Sequence, residues 1–178
     1  GFRLAKGGAQ EYFDVQADLV SLSKGLAAGM PLSAVTGSKV LMDEMEKLQV
    51  STTFGGEMLS LEVCAAAWDI YQNSDCIQKI AELGQQLKEG VNKVAEDLGA
   101  PLRIYGYDAI PMFLFAKNPQ EHVKYAEPFV GYMAQNGVLL RRDVNFICAA
   151  HTIQDIEQTI EAVAKSLTAM KAQGLFDA

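Results

Sequence analysis

The chain has 178 residues, enough for one or two small domains with a real core. Its 15 basic and 22 acidic residues leave a net charge of −7. That disfavours nucleic acid or an anionic membrane as a partner, since both demand a basic face. No apolar run approaches the roughly 20 residues that cross a bilayer. Three cysteines (Cys64, Cys76, Cys148) and two histidines (His122, His151) fall at no metal-ligand spacing. The composition therefore predicts reduced thiols, a cytoplasmic setting and no metal.

In chain order, residues 1–17 read as a Gly-rich loop with a short helical turn. Leu19–Leu22 reads as a buried strand and Pro31–Thr36 as a second one. Between them Lys24 stands at the mouth of a tight turn, with Leu22, Leu26, Ala27, Ala28 and Met30 as neighbours. Two readings stand for Lys24. It is a solvated lysine just past a strand end, or an amine that apolar surroundings dehydrate and keep available for Schiff-base chemistry.

Ser38–Lys47 reads as a helix capped by Ser38, with Val40, Leu41, Met45 and Leu48 as its apolar stripe. The loop Ser51-Thr52-Thr53-Phe54-Gly55-Gly56 precedes a strongly apolar helix, Met58–Tyr71, expected to lie buried under a sheet with Trp68 in the core. Small hydroxyls and glycines ahead of a helix suit either capping or a phosphate. Asn73-Ser74-Asp75 interrupts the pattern, which places a domain boundary between 73 and 74. A helix follows over Cys76–Leu98, with Ile77, Ile80, Leu83, Leu87, Val91, Val94 and Leu98 on one face and Gly99-Ala-Pro101 as its stop.

Strands are expected at Leu102–Tyr107 and Met112–Phe115 around Pro111, and at Val138–Leu140 and Phe146–Ala149. Helices are expected at Glu121–Gln135 and after a Thr152 cap, the latter with Asp155 in its first turn. The loop Arg141-Arg142-Asp143-Val144-Asn145 could grip an anion through its paired arginines, or hold a local Arg–Asp pair in solvent. His151 reads as a helix-start residue and His122 as solvated.

Several segments together carry a resemblance. Gly1-Phe-Arg3 with Gly7-Gly-Ala-Gln-Glu-Tyr12, Asp18–Gly37 around Lys24, Ser51–Glu57 and Ala150-His-Thr-Ile-Gln-Asp155 keep the order and spacing of class III aminotransferases. The likeness is strongest to the glutamate-1-semialdehyde aminomutase branch. It implies an α/β fold, the fold type I of pyridoxal-phosphate (PLP) enzymes. Residues 1–73 would be the C-terminal part of the large PLP-binding domain, and 74–178 a small α+β domain.

The resemblance implies that Lys24 is catalytic and carries PLP, and that Thr53 reaches the cofactor phosphate of a neighbouring subunit, with Thr52 and Gly55 in the same loop. A homodimer with shared active sites follows. The substrates would be a small-molecule amino donor and a carbonyl acceptor, with Arg141, Arg142 and Asn145 as candidates for substrate recognition. The aminomutases carry a longer loop with a glutamate at this last place, and that glutamate is missing here. The aspartate that pairs with the pyridine nitrogen in the family also has no counterpart in this sequence. The resemblance thus predicts the C-terminal part of a longer enzyme. The rival reading is a non-catalytic fragment or subunit that needs a missing N-terminal half to form its site. A nucleotide-binding module fits poorly, because a P-loop places its lysine after the glycines rather than before them.

Overall fold

A computed structural model describes residues 1–116 and 118–176. The chain divides into two compact units, Gly1–Ile77 and Gln78–Ala178.

The first unit opens on a short helix, α1 (Gly8–Phe13). Strands β1 (Leu19–Leu22) and β2 (Ala34–Gly37) pair antiparallel, Leu19 opposite Gly37 and Leu22 opposite Ala34. Between them Lys24–Ala27 forms one 3-10 turn. The second strand starts later than expected, because Met30–Ser33 completes the turn: the Met30 and Leu32 amides bond to Ala27 and Met30. Helix α2 (Lys39–Met45) follows Ser38, whose carbonyl accepts the first helical bonds while its hydroxyl makes no cap bond. Helix α3 (Met58–Asn73) is capped instead by a carboxylate. Glu57 accepts from the Leu59 and Ser60 amides at 2.6 and 2.8 Å and from the Ser60 hydroxyl at 2.6 Å.

Burial departs from expectation here. Leu19 and Leu22 are exposed, as is much of the α2 stripe, and Met58, Leu59, Leu61 and Ile70 of α3 face solvent. Trp68, expected in the core, is 52% exposed. Among the described residues β1 and β2 pair only with each other. A two-stranded sheet presents too little surface to cover an apolar helix.

The second unit holds the principal core. Helix α4 (Cys76–Leu98) buries Ile80, Leu83, Leu87, Val91 and Ala95 along one stripe, as its periodicity predicts. Gly99, at φ +65°, ends it, and the Ala100 amide returns to the Ala95 carbonyl at 2.8 Å. Strands β3 (Arg103–Tyr107) and β4 (Ile110–Leu114) form a hairpin against α4. Asn92 on the helix accepts from the Ile104 amide at 2.8 Å. A Cβ on Gly84 would lie only 1.8 Å from the Asp108 carbonyl oxygen, so glycine lets helix and hairpin touch.

Pro111, expected to separate two strands, lies inside β4 opposite Gly106. Its carbonyl accepts from Asn145 on the far side, so its missing N–H faces away from β3 and breaks no ladder bond. The expected strands Val138–Leu140 and Phe146–Ala149 do not form. One bridge, Met112–Val144, and single bonds from the Asn145 and Ile147 amides lay that segment along β4.

Helix α5 (Pro119–Gln135) starts two residues earlier than expected. Asn118 caps it and Pro119 occupies its first position. Gly137, at φ +83°, closes it, and the Val138 amide bonds back to Met133. His122 is half-buried rather than solvated: its Nδ1 accepts from the Phe115 amide at 3.4 Å. Helix α6 (Ile153–Ala172) packs Ile156, Val163, Leu167 and Met170 into the core. It opens on the expected capping box, Thr152 with Asp155. The buried Ser166 hydroxyl accepts from Asn136 at 3.3 Å, so no polar group is stranded there.

The two caps predict a pH dependence. Bonds from the Ser60 hydroxyl, then from the Ser60 and Leu59 amides, hold Glu57 below its ordinary value. The Thr152 amide, then its hydroxyl, do the same for Asp155. A carboxylate lowered on folding stabilises the folded state above its unfolded pKa. That contribution is lost as pH falls through the lowered value. Glu57→Gln and Asp155→Asn should therefore each flatten the acid limb of stability against pH below about pH 4. Urea midpoints across pH measure this, and an unchanged limb in both variants would contradict it.

Candidate functional site around Lys24

β1 ends at Leu22, and the chain turns at Ser23. Lys24 then takes φ +52°, in the left-handed region. An L-residue with a long side chain costs about 1 kcal/mol there relative to glycine. The position is filled by lysine all the same, as Asp14 and Ala28 fill two others at φ +50° and +48°. Lys24 is exposed, and no hydrogen bond or ion pair among the described residues engages its ammonium. The apolar surroundings that the sequence suggested do not enclose it.

Behind Lys24 the turn is anchored. Ala27 is fully buried, and the Leu26 amide bonds to the Ser23 carbonyl at 3.1 Å. The Tyr71 hydroxyl, from α3, donates to the Gly25 carbonyl at 2.8 Å. Burial pushes the Tyr71 phenol above its ordinary value. The Phe2 ring stacks on Tyr71 with centroids 4.8 Å apart. A Cβ on Gly25 would lie 2.4 Å from Phe2, so only glycine admits that ring.

These residues border a cleft of about 660 Å³. Lys24, Ser21, Ser23, Phe2, Trp68 and Tyr71 are among its walls. Its size suits a small organic ligand. An amine set among aromatic rings and hydroxyls is a donor set for a flat aromatic aldehyde.

Thr52, Thr53 and Gly55 do not line this cleft. They form an exposed turn in which the Gly55 amide bonds to the Thr52 carbonyl at 3.3 Å. The Leu59 and Ser60 amides in the first turn of α3 are already taken by Glu57, so these two are not free for a phosphate. In the second unit, Arg141 pairs with Asp143 at 3.2 Å and Arg142 with Glu127 of α5 at 3.0 Å. Asn145 braces the loop from within, accepting from the Arg141 amide and donating to its carbonyl at 2.9 and 3.1 Å. Bonds from the Val144 amide, then from the Arg141 side chain, hold Asp143 below its ordinary value. Among the described residues no cluster of His, Cys, Asp and Glu could hold a metal.

The sequence pointed to Lys24 but missed Phe2, Tyr71 and the wall position of Trp68. The Tyr71–Gly25 bond joins residues 46 apart, and a contact that long leaves no local pattern to read.

Residues 4–168 match the family described as aminotransferase class-III. The chain belongs to the class-III aminotransferases. It is 31% identical over 180 residues to the glutamate-1-semialdehyde 2,1-aminomutase of Archaeoglobus fulgidus, covering 94% of this chain and 43% of that protein. It is 32% identical to the same-named protein of Methanosarcina acetivorans, covering 94% and 42%. Among solved structures, the FumI protein of Sphingopyxis sp. MTA144 superposes with a TM-score of 0.91 at 22% identity, covering 98% of this chain and 42% of that one. An omega-transaminase from Sphaerobacter thermophilus gives 0.84 at 21%, covering 95% and 42%. The class-III chain therefore spans less than half the length of these relatives, and within that span it carries the fold-type-I transferase architecture the sequence predicts.

Proposed function

We propose that this class-III chain carries the lysine-bearing part of a PLP-dependent aminotransferase, which moves an amino group between an amino acid donor and a carbonyl acceptor. The observation that carries the reading is Lys24: an unpaired amine, held at a left-handed backbone position, at the edge of an aromatic-walled cleft. FumI is named as a PLP form, and a further solved relative, with a TM-score of 0.87, is named as a transaminase with PLP bound. The residues here fit that cofactor: Lys24 for its aldehyde, and Phe2, Trp68 and Tyr71 as flanking rings. Bound there, PLP supplies an electron sink for the substrate carbon that loses its proton. Lys24 Nζ anchors the cofactor and, once released, holds and returns the substrate Cα proton. The aminomutase relatives leave isomerisation as a second outcome of the same chemistry.

Thr53, with Thr52 and Gly55, is our candidate for the cofactor phosphate. These three lie outside the Lys24 cleft, which favours a homodimer in which each turn serves the partner's site. Arg141 and Arg142 are our candidates for a substrate carboxylate. Each is paired with a carboxylate of this chain, so a substrate anion would replace Asp143 or Glu127. Asn145 supports that loop. We place residues 1–73 in a large cofactor domain, 74–178 in a small one, and the three free cysteines in the cytoplasm. The exposed apolar faces of α2 and α3 favour a site that is completed by further polypeptide.

Complementation tests the shared site. Lys24→Ala and Thr53→Val are each expected to be inactive. Carried in the assembled enzyme and co-refolded in equal amounts, they should recover about a quarter of wild-type turnover, since half the dimers are mixed and each mixed dimer holds one intact site. No recovery, with mixed dimers verified by mass, would overturn the shared site.

A further inference from the structure

Lys24 keeps an unfavourable backbone conformation, and something must hold it there. Within its own turn the Leu26 amide bonds to the Ser23 carbonyl at 3.1 Å, which closes the turn on one side but leaves the Gly25 carbonyl loosely held. The Ala28 amide reaches the Gly25 carbonyl only at 3.4 Å. The shorter partner of that carbonyl is the Tyr71 hydroxyl at 2.8 Å, from a different element. Tyr71 is in turn fixed by Phe2, stacked on its ring and seated where only a glycine at 25 leaves room. The chain of contacts runs Phe2, Tyr71, Gly25, Lys24, and its Tyr71 link stands on helix α3.

We propose that Tyr71 is a positioning residue for Lys24. Its hydroxyl, by holding the Gly25 carbonyl, fixes the Gly25–Leu26 peptide, one residue beyond Lys24, and so helps keep the lysine in the left-handed turn at the cleft edge. The proposal rests on the reading of Lys24 as the cofactor-binding amine. Without the hydroxyl the turn relaxes, Lys24 leaves the left-handed region, and its amine spends less time facing the cleft. Gly25 contributes by admitting Phe2, and Phe2 by orienting the phenol.

Tyr71→Phe tests this, because it keeps the ring and its stacking on Phe2 and removes only the hydroxyl. Two readouts are taken on the whole chain. The first is the Cα and Cβ chemical shifts of Lys24, which distinguish left-handed from ordinary backbone. The second is the rate at which PLP with borohydride labels Lys24, with the other lysines as internal controls. Tyr71→Phe should move the Lys24 shifts toward ordinary values and slow its labelling several-fold, within about the tenfold that one hydrogen bond supports. The other lysines should label as before. Unchanged Lys24 shifts in a folded variant would overturn the proposal, because a residue that only packs would give that result. If PLP shows no preference for Lys24 even in the wild-type chain, the cofactor reading fails, and the shifts alone decide the role of Tyr71.

Discussion

Lys24→Ala is expected to lower turnover of the assembled enzyme by about a thousandfold or more, because in the proposed reading one amine both anchors the cofactor and moves the proton. The same change should leave the fold in place, since no described hydrogen bond or ion pair depends on the ammonium. Lys24→Gly sharpens the expectation. Glycine adopts φ +52° without the steric cost of a Cβ, so it should be as inactive as alanine and more stable than alanine by about 1 kcal/mol. Trp68 is the single tryptophan and lies in the first unit, so its fluorescence during urea unfolding reports that unit directly. A glycine variant no more stable than alanine would mean that the left-handed turn stores no strain. An alanine variant with near wild-type turnover would remove Lys24 from the chemistry.

The second large effect lies in the core. Phe129 is 1% exposed and packs its ring against Phe113 and Phe115, with centroids 6.0 and 5.2 Å away. Phe129→Ala should cost about 3–5 kcal/mol, the transfer cost plus the cavity left behind. Trp68→Ala removes a larger ring but from a half-exposed position, and should cost under about 1 kcal/mol. Amide exchange in α5 and α6 for the first variant, and in α3 for the second, measures each change within its own unit. A comparable loss from the two would mean that Trp68 is buried by something in solution.

That contrast also separates what the sequence revealed from what it did not. Helix α4 was largely readable, because Ile80, Leu83, Leu87 and Val91 bury one face at a 3.6-residue period; Ala95 joins them unexpectedly, and Ile77, Val94 and Leu98 stay half-buried. The caps at Thr152 and Gly137 were readable because capping chemistry is local. Helix α3 was readable as a helix but not in its burial. Its apolar composition promised a cover that β1 and β2 are too small to provide. The strands expected at Val138–Leu140 and Phe146–Ala149 have the right residues, but β4 offers that segment only a few of its backbone groups. The start of α5 was in reach, since Asn118-Pro119 is a helix-start signal. At the site, Lys24 stood out by its place between a strand end and a Gly-rich turn. Tyr71 and Phe2 did not, because they meet the turn only through the fold.

The central claim is that Lys24 is the amine to which this class-III chain attaches its cofactor. The most direct measurement adds PLP to the purified chain, records the visible absorbance, reduces with borohydride and maps the modified peptide by mass. The account predicts a visible band on addition of PLP, its loss on reduction, and a label confined to the peptide that contains Lys24. A label spread over surface lysines such as Lys39 and Lys165, at the same yield as in Lys24→Ala, would contradict it.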